Sequence, residues 1–319
     1  MPPRLLKHSV EELRAGILAG NRALLARALR VVEEFPEQGA ALSTALQNHV
    51  GRARIIGFTG NPGAGKSTVV NAYITHLRQQ GLKVAVLAID PSSPFSGGAL
   101  LGDRIRMNEH FADNHVYIRS MATRGQLGGL SRATFDATRV LDAAGFDVVV
   151  IETVGVGQDE IDIAQMAHTT VVVMVPGLGD DIQSIKAGLL EIADVFLINK
   201  SDLPGTPQLE KSLHTLLSLA SPAPLWTPPI VKSTATEHKG IPQLHEAVQK
   251  HRDHMLTKEG AALSQKRSLH IFQQLLDQAL VSHGRQLLHT HLPQSLAQLS
   301  APNSDIRAVL DNLLFYLKN

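Results

Sequence analysis

The sequence of 319 residues contains no cysteine, which excludes disulfides and thiolate metal sites and fits a reducing compartment. It also has little net charge. Thirty basic residues against twenty-nine acidic ones leave +1, and no run of like charge forms a basic tail, so neither nucleic acid nor an anionic membrane surface is expected as a partner. Long apolar runs are missing as well: the longest are strand-sized, so no membrane span is expected. Met1-Pro2-Pro3-Arg4 leads into a mixed-charge segment without a signal-peptide core, and a soluble cytoplasmic protein is the expectation. No internal repeat or low-complexity tract is present. The 44% hydrophobic content suits a soluble globule with a substantial core.

The sequence does carry a complete phosphate loop. Gly60-Asn61-Pro62-Gly63-Ala64-Gly65-Lys66-Ser67-Thr68 matches G-x-x-x-x-G-K-[ST] and follows the apolar run Ile55-Ile56-Gly57-Phe58 with only Thr59 between. Glycines let successive backbone N–H groups turn inward around phosphate oxygens, Lys66 reaches the β/γ-phosphates, and the Ser67 hydroxyl suits Mg²⁺. A helix over Val69 to Arg78 would point its positive end at the same phosphates.

Around this loop the pattern is that of an α/β protein. Residues 8 to 32 carry an apolar stripe at helical spacing and Ala40 to His49 suits a second helix, so the chain opens with a helical extension whose stripe needs a surface. Strand-like runs then alternate with helical segments: Ile55–Phe58, Lys83–Ile89, Val116–Ile118, Asp147–Ile151, Thr170–Val175, Val195–Ile198 and, after proline-rich punctuation, Ile230–Lys232. Alternation of this kind argues a three-layer, mostly parallel sheet with helices on both faces. After Gly240 the chain reads as helical, with a long helix over Ala261 to Leu288 and a last one over Ile306 to Leu317. Apolar residues on more than one side of the long helix, including Leu269, Phe272, Leu275, Leu276 and Leu280, suit packing on the body or on a second subunit.

Asn199-Lys200-Ser201-Asp202 follows the strand Val195–Ile198 and matches the N-K-x-D guanine signature. A carboxylate at Asp202 can accept from guanine N1–H and the exocyclic amine, and a site built around that pair rejects the wrong base by about 10⁴-fold. Asn199 would brace neighbouring loops and the Lys200 stem would cover the base. In Ser233-Thr234-Ala235-Thr236, the last three residues sit where a backbone contact to guanine O6 is expected. The run Asp147–Ile151 ends in Glu152-Thr153-Val154-Gly155, which places Glu152 at the Mg²⁺-contacting position and the Gly155 N–H toward the γ-phosphate. Asp90 and Asp103 supply two more carboxylates for the Mg²⁺ shell; Asp90 at a strand end also suits a simple turn cap. Gln158 lies too far beyond Gly155 to be assigned to the attacking water, and Arg104, Arg106 and Arg124 are equal candidates for a charge-stabilising finger. Slow intrinsic turnover follows.

These segments resemble the MeaB/ArgK family, methylmalonyl-CoA mutase-associated GTPases of the SIMIBI class that include the cobalamin A-type methylmalonic aciduria protein. The likeness rests on residues 60–68, Ala88–Met107, Arg124–Leu130, Glu152–Gln158, Pro176–Lys186 and Asn199–Asp202. It implies a GTPase with GTP/GDP and Mg²⁺ as cofactors, Lys66 and Glu152 in the catalytic site, Asp90 and Asp103 in a first switch, and a third switch over Gly177–Lys186. It also implies a homodimer through the C-terminal helices and a role in gating adenosylcobalamin loading, protection and reactivation of an acyl-CoA mutase. The expected division is an N-terminal extension (1–50), a P-loop G domain (51–250) and a C-terminal dimerisation region (251–319).

Three competing classes fit less well. Nickel- or zinc-insertion GTPases use Cys- or His-rich motifs, whereas here cysteine is absent and the fifteen histidines are scattered, with His289-Thr290-His291 reading as a solvated helix end. An ATP-dependent kinase or transport ATPase conflicts with Asn199–Asp202. A degenerate scaffold conflicts with intact Lys66, Ser67 and Glu152.

Overall fold

The structure is a computed structural model and describes residues 8–90, 108–110, 112–122, 131–153, 166–177, 191–219, 225–299, 305 and 307. Its centre is one sheet of seven strands: β1 (Arg54–Thr59), β2 (Val84–Asp90), β3 (Val116–Ala122), β4 (Val148–Thr153), β5 (Thr169–Met174), β6 (Val195–Ile198) and β7 (Ile230–Lys232). They lie in the order β3-β2-β4-β1-β5-β6-β7, and every pairing is parallel. Parallel strands are covered on both faces, which is why these segments read as continuous Val/Ile/Leu runs.

Helices supply the cover. They are α1 (Val10–Leu18), α2 (Arg22–Glu34), α3 (Pro36–Ala45), α4 (Lys66–Gln79), α5 (Ser131–Ala143), α6 (Thr206–Ser218), α7 (Ile241–Met255) and α8 (Lys258–Leu299). Alternation along each strand sorts the two cores. Val148 and Val150 of β4 pack with α4 and α7, whereas Val149 and Ile151 pack with α1–α3 and α5 on the opposite face. A third cluster joins Val172, Phe196 and Ile198 to Leu209 and Leu213 of α6.

The N-terminal stripe therefore covers one face of the sheet. It is two helices rather than one. Gly20 takes φ +73 and the Asn21 side chain accepts from the Ala23 and Leu24 amides, so the chain turns and α2 starts afresh. The following helix begins at Pro36, well before Ala40, because proline suits a first helical turn, and it gives way to a 3₁₀ turn at Gln47–His49. Arg22 donates to the Asn114 and Val116 carbonyls at 2.7 and 3.0 Å, and Arg119 pairs with Glu33 at 2.6 Å, tying this layer to the edge strand β3.

At the N-terminal edge of the sheet a buried polar cluster closes the body. The Asp194 carboxylate accepts from the Thr170 amide at 2.8 Å and from Arg267 at 2.8 Å, and it lies 3.2 Å from His251 Nε2. His251 Nδ1 is 2.9 Å from the Thr169 hydroxyl. Burial pushes the Asp194 carboxyl up, but the His251 hydrogen bond and the Arg267 charge outweigh it and hold the group below its ordinary range.

The chain divides into two compact units, Met1–Ser268 and Leu269–Asn319. In the second, Leu269, Phe272, Leu276, Leu280 and Val281 of α8 are exposed. Of the expected helix over 306–317 only Arg307 is among the described residues. Among the described residues no helix is long and apolar enough to cross a membrane.

Candidate nucleotide site

The phosphate loop leaves β1 at Thr59 in the middle of the sheet, between β4 and β5, at the C-terminal edge where parallel sheets bind ligands. Two of its three glycines have no room for a side chain. Gly60 has φ +136, and a Cβ there would lie 2.0 Å from the Val173 carbonyl oxygen; Gly65 has φ +84, and its Cβ would meet Asn199 Nδ2 at 2.6 Å. The helix after the loop begins at Lys66 rather than Val69, so Lys66, Ser67 and Thr68 form the first turn of α4.

Lys66 is 6% exposed and folds back over its own loop, donating to the Gly60 carbonyl at 2.7 Å and the Asn61 carbonyl at 3.1 Å. Ala64 closes a turn by donating to the Asn61 carbonyl at 3.2 Å, while Pro62 and Gly63 form an exposed tip and Thr68 is exposed on α4. The Ser67 hydroxyl donates to Glu152 Oε1 at 2.6 Å, with both residues buried. A hydroxyl and a carboxylate converging at the start of a helix are hard oxygen donors, the chemistry that Mg²⁺ takes.

The N-K-x-D segment meets the phosphate loop directly. Asn199, 2% exposed, donates from Nδ2 to the Ala64 carbonyl at 2.9 Å, and its Oδ1 accepts from the Ser233 hydroxyl at 3.2 Å and the Ala235 amide at 3.3 Å. Lys200, held at φ +53, lays its side chain over the loop and donates to the Gly63 carbonyl at 3.0 Å. Asp202 stays exposed and accepts from the Thr234 hydroxyl at 3.3 Å. Thr236 is exposed in the 3₁₀ turn Ala235–Glu237. Beside this turn Lys239 is raised above its ordinary pKa by a hydrogen bond from its ammonium to Glu237, with a smaller contribution from Asp202.

One side chain thus brings three separate loops together, and that junction was only partly legible. Asn199 as a brace was expected from sequence; its acceptance from Ser233 was not, because a Ser/Thr pair after a short strand carries no distinguishing signal. The Thr59–Thr153 contact at 3.2 Å, between the last residues of β1 and β4, was also unforeseen.

Other expected residues are placed less completely. Asp90 ends β2, in register with Ala122 of β3. Asp103, Arg104, Arg106, Arg124, Gly155, Gln158 and, beyond Gly177, the expected third switch lie outside the described residues.

The parallel three-layer sheet, the glycine loop running from β1 into α4 and the N-K-x-D turn after β6 define a P-loop GTPase. Within that class the assignment narrows. Residues 25–287 match the family described as methylmalonyl Co-A mutase-associated GTPase MeaB, and the chain belongs to that family. A relative from Pyrococcus abyssi is 48% identical over 269 residues, covering 83% of this chain and 82% of its own length. The mouse protein named methylmalonic aciduria type A homolog, mitochondrial, is 36% identical over 265 residues, covering 77% of this chain and 64% of that one. A crystal structure titled LAO/AO transport system kinase superposes with a TM-score of 0.69 at 26% identity and covers 99% of both chains.

Proposed function

We propose that this GTPase is the nucleotide-driven gate of an adenosylcobalamin-dependent acyl-CoA mutase, controlling cofactor loading, protection and reactivation. The family description names methylmalonyl-CoA mutase, and the mouse relative's name refers to methylmalonic aciduria. The observation that carries the nucleotide part is the junction in which Asn199 bonds Ala64 and Lys200 bonds Gly63, fixing the base loop against the phosphate loop.

In this reading residues Gly60–Thr68 and the Gly155 amide hold the phosphates, while Asn199, Lys200, Asp202 and Thr234–Thr236 form the base site. Ser67, Asp90, Asp103 and Glu152 would hold Mg²⁺, which when bound neutralises phosphate charge. Lys66 supplies a positive charge where phosphate charge develops, and Glu152 orients Ser67. The guanine selectivity resides in Asp202, whose exposed carboxylate is oriented by Thr234. The N-terminal extension (1–50) covers the sheet of the G domain (51–250) through α1–α3, and residues 251–319 join two copies through the exposed apolar side chains of α8. The cysteine-free composition supports residence in the cytoplasm.

Slow basal turnover that rises on contact with the client is the behaviour this arrangement supports. Phosphate release from GTP, followed with and without a cobalamin-dependent acyl-CoA mutase, tests it. A rate increase together with a complex on size exclusion is expected; an unchanged rate and no complex with any such mutase would reject the gating role.

A further inference from the structure

Glu152 is anchored to Ser67, and the residue that follows it has a bond of its own. Thr153 Oγ1 donates to Thr59 Oγ1 at 3.2 Å, with the two residues 1% and 0% exposed. They are cross-strand neighbours: Phe58 pairs with Glu152 in the parallel β1–β4 ladder, so Thr59 and Thr153 are the next pair along and end their strands. Directly beyond Thr59 comes Gly60 of the phosphate loop, and directly beyond Thr153 comes the segment leading to Gly155. Side chains alternate along a strand, so this hydroxyl pair sits on the sheet face opposite that of Phe58 and Glu152. Phe58 packs with the α4 core, on the side from which Ser67 reaches Glu152.

Beyond the backbone ladder, the end of β4 is consequently held by a side-chain bond on each face, to α4 on one and to the end of β1 on the other. On the α4 face the tie is the Ser67–Glu152 bond, made of groups that the proposed Mg²⁺ site uses. On the other face it is the Thr59–Thr153 bond, which touches neither nucleotide nor metal in that scheme.

We propose that Thr153, through its hydroxyl bond to Thr59, is a positioning residue for GTP hydrolysis: it holds the C-terminal end of β4 in register with β1 so that the Glu152 carboxylate stays on Ser67. This rests on the reading of Glu152 and Ser67 as parts of the hydrolytic site. The Asn199 junction also bonds Ala64 of the phosphate loop, but its base-side partners come from the loops after β6 and β7, away from the β1–β4 tie. A fault at Thr153 therefore lowers turnover while leaving guanine affinity in place.

A single and a double isosteric replacement separate positioning from plain packing. Thr153→Val leaves the Thr59 hydroxyl buried without its partner, which lowers stability as well as turnover. Adding Thr59→Val makes both positions apolar, so the stability is recovered while the bond remains lost.

GTP turnover, GDP affinity and the melting temperature are measured on the full chain for the wild type, Thr153→Val, Thr59→Val with Thr153→Val, and Thr153→Ser. Expected is a kcat reduced about 3- to 10-fold in the Thr153→Val and double variants, the range of one lost hydrogen bond. GDP affinity should stay within about twofold in all four proteins, the scatter expected for a site not touched. The melting temperature should recover in the double variant, and Thr153→Ser should restore most of the turnover. Recovery of kcat along with stability in the double variant would overturn the proposal, as would an unchanged kcat in Thr153→Val. A wild type that binds GDP but does not hydrolyse GTP would instead reject the hydrolytic reading beneath it.

Discussion

The proposed base selectivity rests on one carboxylate, Asp202, and its surroundings suit that task. It is exposed, and the Thr234 hydroxyl occupies Oδ1 at 3.3 Å, which orients the carboxylate without burying it. Guanine offers two donors to such a group, whereas adenine offers no matching pair. Replacing Asp202 with Asn turns one acceptor into a donor, which suits the 2-oxo group of xanthine. The expected outcome is a loss of GTP affinity of roughly 10- to 100-fold, the range for hydrogen bonds to a charged group, with a gain for XTP. Competition binding with both nucleotides checks it, and unchanged guanine preference would remove Asp202 from the base site. Gly60 and Gly65 limit the site in another way. Both take positive φ and both have a neighbour where a Cβ would stand, so the loop's close approach to Val173 and Asn199 depends on having no side chain there.

Among the elements, α4 and α7 form the pair that links the phosphate loop to the C-terminal part of the body. Where they pack, His245 of α7 lies 3.0 Å from the Tyr73 hydroxyl, and its ring centroid is 5.0 Å from that of His76 on α4. Burial pushes His245 down to about 4, and the neighbouring His76 and Arg54 add to the effect. The folded state thus resists protonating a group that the unfolded chain protonates near pH 6.5. The stabilising difference is fully present above pH 6.5 and is lost as pH falls toward 4. His245→Gln should flatten this acid limb, read as the urea midpoint at pH 7.5 against pH 5. An equal loss in both proteins would place the acid sensitivity elsewhere. Elements were the scale most legible in the sequence, because a strand covered on both faces leaves an uninterrupted run such as Val148–Ile151 and a phosphate loop is a contiguous motif. The split at Gly20 was hidden by the apolar stripe continuing on either side of it. Contacts such as Thr59–Thr153 or Asp194–His251–Arg267 leave no trace of this kind: their partners are far apart in the chain and obey no period.

Across the whole molecule the two edges of the sheet do different work. The N-terminal edge is closed by the Asp194 cluster, in which a buried carboxylate is matched by Arg267, His251 and the Thr170 amide. The arrangement of Thr169, His251 and Asp194 resembles a nucleophile–base–acid triad, but Thr169 and His251 are 2% and 1% exposed, so no substrate reaches them and the cluster is structural. The C-terminal edge, by contrast, gathers the loops after β1, β6 and β7 around Asn199. In the proposed function, this junction couples phosphate grip to base choice and makes the site selective for guanine nucleotides. Titration of the nucleotide-free chain with GDP, GTP and ATP in the presence of Mg²⁺ tests it most directly. Micromolar or tighter binding of the guanine nucleotides and a preference over ATP of about 100-fold or more are expected; comparable affinity for ATP would overturn the guanine assignment.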